Sequence, residues 1–297
     1  MLKLPRPLSG CLTVCALLAG TAVWAEAVKS PGGSGPSAAL SAYYAKMQQT
    51  FQERGLLKTI RTVPSSSMDA SSLKRDFLEI AMHSEYSNGL SASGSRSAKP
   101  LLRWEEPVRL QVMFGASVPK DRRIEDLKAI SNYTNTLARL TRHPMTVNPN
   151  KPNFHVLVVN EAERKSLAKT LPKLVPGVSK SIVRNIARMQ RNHLCMVVAE
   201  PHADRARGFK QAVAIVRAEH PDVMRASCIQ EELAQGLGLS NDCREAWPSI
   251  FNDDQEFAFL TRRDEVLLRM LYDPALQSGM SAKDVANRLP EITSRAM

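Results

Sequence analysis

Several features that identify common classes of protein are missing from this sequence. Beyond residue 25, no apolar run approaches the roughly 20 residues that a membrane-spanning helix needs, so we expect no span there. The chain has no glycine-rich phosphate loop and no Gly-x-Ser-x-Gly element, which argues against P-loop nucleotide binding and against an esterase-type serine nucleophile. Aromatic residues make up only 5% of the chain and do not alternate with basic ones, so we expect no nucleic-acid partner.

The sequence also lacks the usual spacings of a zinc site. No Cys-x-x-Cys pair occurs, and the histidines have no paired spacing. We therefore consider zinc binding by the three cysteines beyond residue 25 improbable. We expect the histidines at five positions to be surface or loop residues: His143, His155, His193, His202 and His220.

The first 25 residues have the pattern of a secretory signal peptide. Lys3 and Arg6 give a positive start, and an almost wholly apolar or small stretch follows from 8 to 23. Small residues at Val23 and Ala25 are typical of a cleavage site. The pattern predicts export, with a periplasmic or secreted location.

Basic charge is concentrated in the middle of the chain, whose formal net charge is +11. Residues 164–199 contain eight Lys or Arg and no Asp or Glu. A helix predicted over 179–191 places basic side chains opposite apolar ones: Lys180, Arg184, Arg188 and Arg191. This pattern indicates either a contact with an anionic surface or an ordinary amphipathic surface helix, and the sequence leaves both open.

Three of the five cysteines remain once the signal peptide is removed. Disulfides persist in exported proteins. Cys195 lies in a strand-like run and Cys228 lies just before the motif described below, so we predict a Cys195–Cys228 bridge. Cys243 would then be free, or would compete for Cys228.

The hydrophobic periodicity predicts an α/β (α+β) fold with a mixed sheet. We divide the chain into a signal peptide (1–25), a linker and N-terminal helical segment (26–100), a main domain (101–280) and a C-terminal tail (281–297). Strands are predicted over 108–115, 153–160, 193–199 and 211–218. Helices are predicted over 38–54, 72–87, 122–142, 161–171, 179–191 and 221–238, and from Thr261, where Asp264 completes a cap.

Residues 228–242, CIQEELAQGLGLSND, have the layout of the zinc-binding helix of a metzincin without its histidines. The metzincin pattern is His-Glu-x-x-His-x-x-Gly-x-x-His. Glu231, Gln235 and Asn241 stand at the three ligand positions. Glu232 occupies the position of the general base, and Gly238 that of the glycine.

The residues that stand at the metzincin ligand positions suggest two interpretations. Glu231, Gln235 and either Asn241 or Asp242 offer oxygen ligands, which suit calcium, magnesium or manganese better than catalytic zinc. Glu232 would then act as general base on a polarised water. Alternatively, the carboxylates are solvated and Gln235 stabilises the following turn, with no metal or other cofactor. The sequence does not decide between these.

The downstream residues extend the resemblance. The stretch 248–252, PSIFN, stands where a metzincin has its Met-turn, with Phe251 in place of the methionine. The stretches 228–242 and 248–252, together with LYDP before Gly279 and Met280, resemble a bacterial secreted domain family of unknown function. The resemblance covers roughly residues 75 to 280. That resemblance implies an exported protein and supplies no activity. The resemblance to metzincins implies a zincin-like mixed sheet with the motif helix packed on one face.

Three functions are consistent with these features. The first is an exported zincin-like protein that binds a peptide, cell-wall or envelope partner without zinc-dependent catalysis. The second is an atypical metal-dependent hydrolase that uses Glu232. The third is an envelope adaptor that contacts anionic surfaces through the basic helix 179–191.

Overall fold

The computed structural model describes residues 37–60, 68–83, 99–148, 150–252 and 254–297. Residues 1–36, which include the predicted signal peptide (1–25), lie outside these ranges. The helices are α1 (Ala38–Glu53), α2 (Ala70–Ala81), α3 (Lys120–Thr141), α4 (Glu161–Leu174), α5 (Lys180–Arg188), α6 (Asp222–Gln235), α7 (Arg262–Leu271) and α8 (Ala282–Ala296). The strands are β1 (Val108–Phe114), β2 (Met145–Val147), β3 (Phe154–Val159), β4 (Cys195–Pro201) and β5 (Phe209–Arg217).

The five strands form one mixed sheet in the order β2-β1-β3-β5-β4. β1 pairs in parallel with β2 and β3, and β3 pairs in parallel with β5. β4 runs antiparallel to β5 at one edge of the sheet. Every residue of β3 is buried, as expected for a central strand without a polar face. The α/β fold class with a mixed sheet is confirmed.

The sequence predicted the type of most elements and missed some of their ends. The predicted helix 72–87 begins two residues earlier, after the cap Asp69, and ends at Ala81. α4 continues through Pro172 to Leu174, three residues beyond the predicted end at 171. The three-residue strand β2 was not predicted.

The motif helix α6 packs against β4, β5 and α3. Its C-terminal end approaches the sheet closely, because a Cβ on Gly236 would lie 2.5 Å from the Phe154 ring. Gly238 then turns the chain with a φ of +130°, and a Cβ there would meet the Leu102 carbonyl oxygen at 2.3 Å. Glycine is required at Gly238 for both conformation and space.

The helices at both ends of the described chain pack on the main domain. α8 contacts α2 and α7 and buries Val285, Leu289 and Ile292, so most of the segment that the sequence analysis treated as a tail is a packed helix. A buried ion pair joins Asp76 of α2 to Arg263 of α7. A second joins Asp126 of α3 to Arg225 of α6 at 2.8 Å.

No helix among the described residues is both long and apolar enough to cross a bilayer.

The predicted cap of α7 is present and has a wider role. Asp264 accepts hydrogen bonds from the Thr261 backbone N–H and from its hydroxyl, both at 2.8 Å. The same carboxylate accepts from the Ser249 hydroxyl at 2.5 Å and from the Ile250 N–H at 3.1 Å. Burial raises the pKa of Asp264 to about 6. This side chain therefore holds the turn at 248–252 against the start of α7.

We expect Asp264→Ala to lower the free energy of unfolding by about 3–5 kcal/mol, because it leaves several buried donors without an acceptor. Chemical denaturation measures this difference. Asp284 is the matched control, since it accepts from Ser281 at the same position of α8 but is exposed. A loss for Asp264→Ala no larger than that for Asp284→Ala would contradict the role assigned to Asp264.

Candidate functional site

The motif helix presents three of the predicted site residues to one cavity. Glu231, Glu232 and Gln235 of α6 line a cavity of about 290 Å³, together with Asp242 from the turn that follows. The other wall residues are Met47 and Phe51 of α1, residues 192–194 before β4, Cys195 at its start, and Gln255. Glu232 and Gln235 are buried, whereas Glu231 and Asp242 are partly exposed.

The turn after α6 brings back Asp242 rather than Asn241. The Gln235 Nε2 donates to Asp242 Oδ1 at 3.2 Å. The side-chain amide of Asn241 points elsewhere and donates to the Glu79 carbonyl oxygen of α2 at 3.2 Å. Of the two ligand sets predicted from the sequence, the structure brings together the one that contains Asp242.

Among the His, Cys, Asp and Glu residues that the structure describes, Cys195, Glu231 and Glu232 place one potential ligand atom each within 4.8 Å of one another. Cys195 is bonded to Cys228, so its sulfur has no thiolate to offer a metal. His193 lines the cavity but does not belong to this group. The remaining donors are oxygens, and this set does not match the imidazole ligands of a catalytic zinc centre. The site does not fit zinc.

Two of the five histidines predicted at the surface or in loops, His155 and His220, are buried. His155 lies on β3, where burial lowers its pKa to about 4. His220 precedes α6, and burial, together with the charges of Arg217 and Arg225, holds its pKa well below the usual value. The prediction is wrong for His155, because a histidine on a central strand has no distinctive spacing; His220 does lie in a loop, between β5 and α6, but is buried there.

The predicted Cys195–Cys228 disulfide is present, with a Cα–Cα distance of 5.7 Å. It joins the first residue of β4 to the middle of α6 and forms part of the cavity wall. The His220 Nδ1 lies 3.7 Å from the Cys228 sulfur. Cys243 is free and buried.

A second cavity, of about 540 Å³, continues along the same strand. It is lined by the segment 197–201 of β4 and by residues around the N-terminus of α5. Gln235 lines both cavities. The two cavities lie beside β4, between Cys195 and Pro201, with Gln235 as a shared wall residue, and we call them together the β4 cleft.

Lys99 lines the larger cavity and was not predicted as a site residue. Its Nζ donates to the Ser240 hydroxyl at 2.6 Å. Burial, followed by the charge of Arg205, lowers the pKa of Lys99 to about 8. No spacing in the sequence indicates this site, because residues 99, 205 and 240 meet only through the tertiary fold.

The basic helix is present as α5, and its apolar face is used in the core. Ile182, Ile186 and the following Met189 are buried. Lys180, Arg184, Arg188 and Arg191 are exposed, and the Arg191 guanidinium lies 4.4 Å from the Tyr43 ring centroid. Any contact of α5 with an anionic surface would therefore be electrostatic, without insertion of an apolar face.

One family model matches this chain. Residues 70–291 match a family described as "Protein of unknown function (DUF2927)". No curated protein and no solved structure matches the chain.

We expect the disulfide to contribute about 3–4 kcal/mol to the free energy of unfolding, since it closes a loop between positions that are 33 residues apart. Urea denaturation with and without dithiothreitol measures this contribution. The Cys195→Ala/Cys228→Ala double variant should be insensitive to the reductant, whereas Cys243→Ala should remain sensitive. In unreduced protein lacking residues 1–25, alkylation and mass spectrometry should find one free thiol, and three would refute the bridge.

Proposed function

The chain belongs to the DUF2927 family, and we propose that it is an exported zincin-like protein that binds an extended peptide in the β4 cleft without zinc-dependent catalysis. The observation that supports this most directly is the position of β4. It is an edge strand, and the cleft runs along it beside the motif helix.

β4 supplies the hydrogen-bonding groups that an extended peptide needs. Among the described residues it pairs with β5 alone, so the backbone N–H and C=O groups of its other edge are not used in the sheet. Peptides bind such edges by adding a strand, with side-chain pockets giving specificity. At about 3.3 Å per residue, the strand Cys195–Pro201 is long enough for six or seven residues of ligand.

The zincin resemblance is supported by the packing of the motif helix on a mixed sheet. α6 packs against β4 and β5, the arrangement that the resemblance implies. Phe251, which stands in place of the Met-turn methionine, is fully buried. Oxygen donors at the former ligand positions lack the basicity and softness that favour zinc, and this supports peptide binding over zinc-dependent hydrolysis.

Export remains part of the proposal. It is supported by the signal-like N-terminus and by a disulfide, which is stable mainly in oxidising compartments. A periplasmic or secreted location would give the cleft access to peptide segments of envelope proteins or cell-wall components.

To test peptide binding, random heptapeptides displayed on phage would be selected against protein lacking residues 1–25. Fluorescence anisotropy would then measure the affinity of the enriched peptides for two variants. Ala199→Trp fills the β4 cleft, because Ala199 is a wall residue. Ala187→Trp is the matched control on the exposed surface of α5.

We expect Ala199→Trp to weaken binding at least tenfold, because the indole occupies the space of the ligand, and Ala187→Trp to leave it unchanged. Thermal denaturation would verify that both variants fold. Enrichment of no peptide, or equal affinity of both variants for the enriched peptides, would contradict the proposed function.

The alternative function is metal-dependent peptide hydrolysis with Glu232 as general base. The proximity of the Glu231 and Glu232 carboxylates favours it, since paired carboxylates suit a hard divalent ion.

Elemental analysis of the purified protein separates the two functions. The proposed function predicts far less than one metal ion per chain and a melting temperature that EDTA does not change. Stoichiometric metal that is retained in Glu232→Gln, with hydrolysis abolished in that variant, would establish the alternative.

A further inference from the structure

The larger part of the β4 cleft is more than a neutral groove. Its walls combine the segment 99–102, the N-terminus of α5 and the second half of β4. Polar and charged side chains line this cavity from all three walls and from the turn after β4, which carries Arg205: Lys99, Ser179, Ser181, Asn185, Glu200 and Arg205. This distribution of charge indicates which chemical group a ligand would place there.

Two cations lie at one end of the cavity without carboxylate partners. Among the described residues, neither Lys99 nor Arg205 has an acidic oxygen within 4.0 Å. Lys99 uses one of its three N–H donors on Ser240, which leaves two for a ligand. Burial and then the charge of Arg205, a second cation, lower the pKa of Lys99. A partly buried lysine without a counter-ion is a recognition group for an anion.

The N-terminus of α5 adds to the positive potential of the cavity. Ser179 caps the helix and accepts from the Ile182 N–H at 3.2 Å. Ser179, Ser181 and Ile182 all line the cavity. The first-turn N–H groups of a helix have no intrahelical acceptor and carry partial positive charge.

Glu200 limits what the ligand can be. It lies on β4 in the same cavity, and its Oε2 is buried without a hydrogen-bond partner among the described residues. Among the described residues it forms no ion pair with Lys99 or Arg205, so its carboxylate does not neutralise either cation directly. A ligand that matches this cavity has a carboxylate at the Lys99 end and an N–H donor near Glu200. A peptide has both.

We propose that the Lys99 end of the β4 cleft binds a carboxylate of the peptide ligand, through Lys99, Arg205 and the N-terminus of α5. This inference rests on the proposed function and adds a selectivity to it. The carboxylate comes either from the C-terminus of the peptide or from an Asp or Glu side chain, since both present the same group.

The test uses heptapeptides obtained from the phage selection, synthesised with an acetylated N-terminus. Each peptide is made with a free C-terminal carboxylate and with a C-terminal amide. Peptides that contain Asp or Glu are also made with Asn or Gln in their place. Isothermal titration calorimetry would measure their affinities for the wild-type protein, Lys99→Met, Lys99→Arg and Lys210→Met. Lys210 is an exposed residue of β5 that does not line the cavity.

We expect one of the two carboxylates to strengthen binding to the wild-type protein at least tenfold over its neutral counterpart. The source of the carboxylate is the C-terminus if the acid and amide peptides differ, and a side chain if the Asp or Glu peptides differ from their Asn or Gln counterparts. The difference should disappear in Lys99→Met, persist in Lys210→Met, and be at least partly restored in Lys99→Arg.

The two proposals fail in different ways. Equal affinity of the acid and neutral peptides for the wild-type protein, with binding still blocked by Ala199→Trp, would overturn the carboxylate site alone. A carboxylate preference that survives in Lys99→Met would also overturn it. Failure of the selection to enrich any peptide would remove both proposals.

Discussion

The β4 cleft depends on one constraint, which is that the motif helix α6 is held beside an edge strand. The Cys195–Cys228 disulfide bonds the start of β4 to the middle of this helix. At the C-terminal end of the helix, Gly236 allows close approach to Phe154, and its carbonyl oxygen accepts from the Trp104 indole at 2.8 Å. These two contacts fix the position of α6 relative to the sheet, and with it the side of the cleft that α6 forms.

The chemistry of the metzincin-like motif follows from the contacts that its side chains make. Gln235 bonds to Asp242, so an amide and a carboxylate stabilise the turn that in a metzincin leads to the third imidazole. Asn241 is engaged with α2. The side-chain amides of Gln235 and Asn241 thus donate to structural partners, and the one sulfur in the described group of Cys195, Glu231 and Glu232 is held in the disulfide. The β4 cleft with the unpaired edge of β4 is therefore better suited to binding an extended peptide than to activating a water molecule.

The sequence predicted those parts of the molecule that depend on local pattern. The capping box at Thr261, the central strand β3 and the face of α6 all follow from periodicity or from short-range chemistry. The disulfide was predicted from compartment and element position. The strand β2 was too short to show periodicity, whereas α8 carries Val285, Leu289 and Ile292 at helical spacing, a pattern from which a packed helix could have been predicted in place of a tail. The cation site at Lys99 was invisible, since it joins segments more than 100 residues apart.

The central claim is that an extended peptide pairs with the free edge of β4, and amide hydrogen exchange measures this directly. Adding a selected heptapeptide should slow exchange in the segment 195–201, because outward N–H groups gain acceptors, and should leave β2, at the opposite edge of the sheet, unchanged. Unchanged exchange across β4 under saturating peptide, or protection confined to β2, would contradict the account.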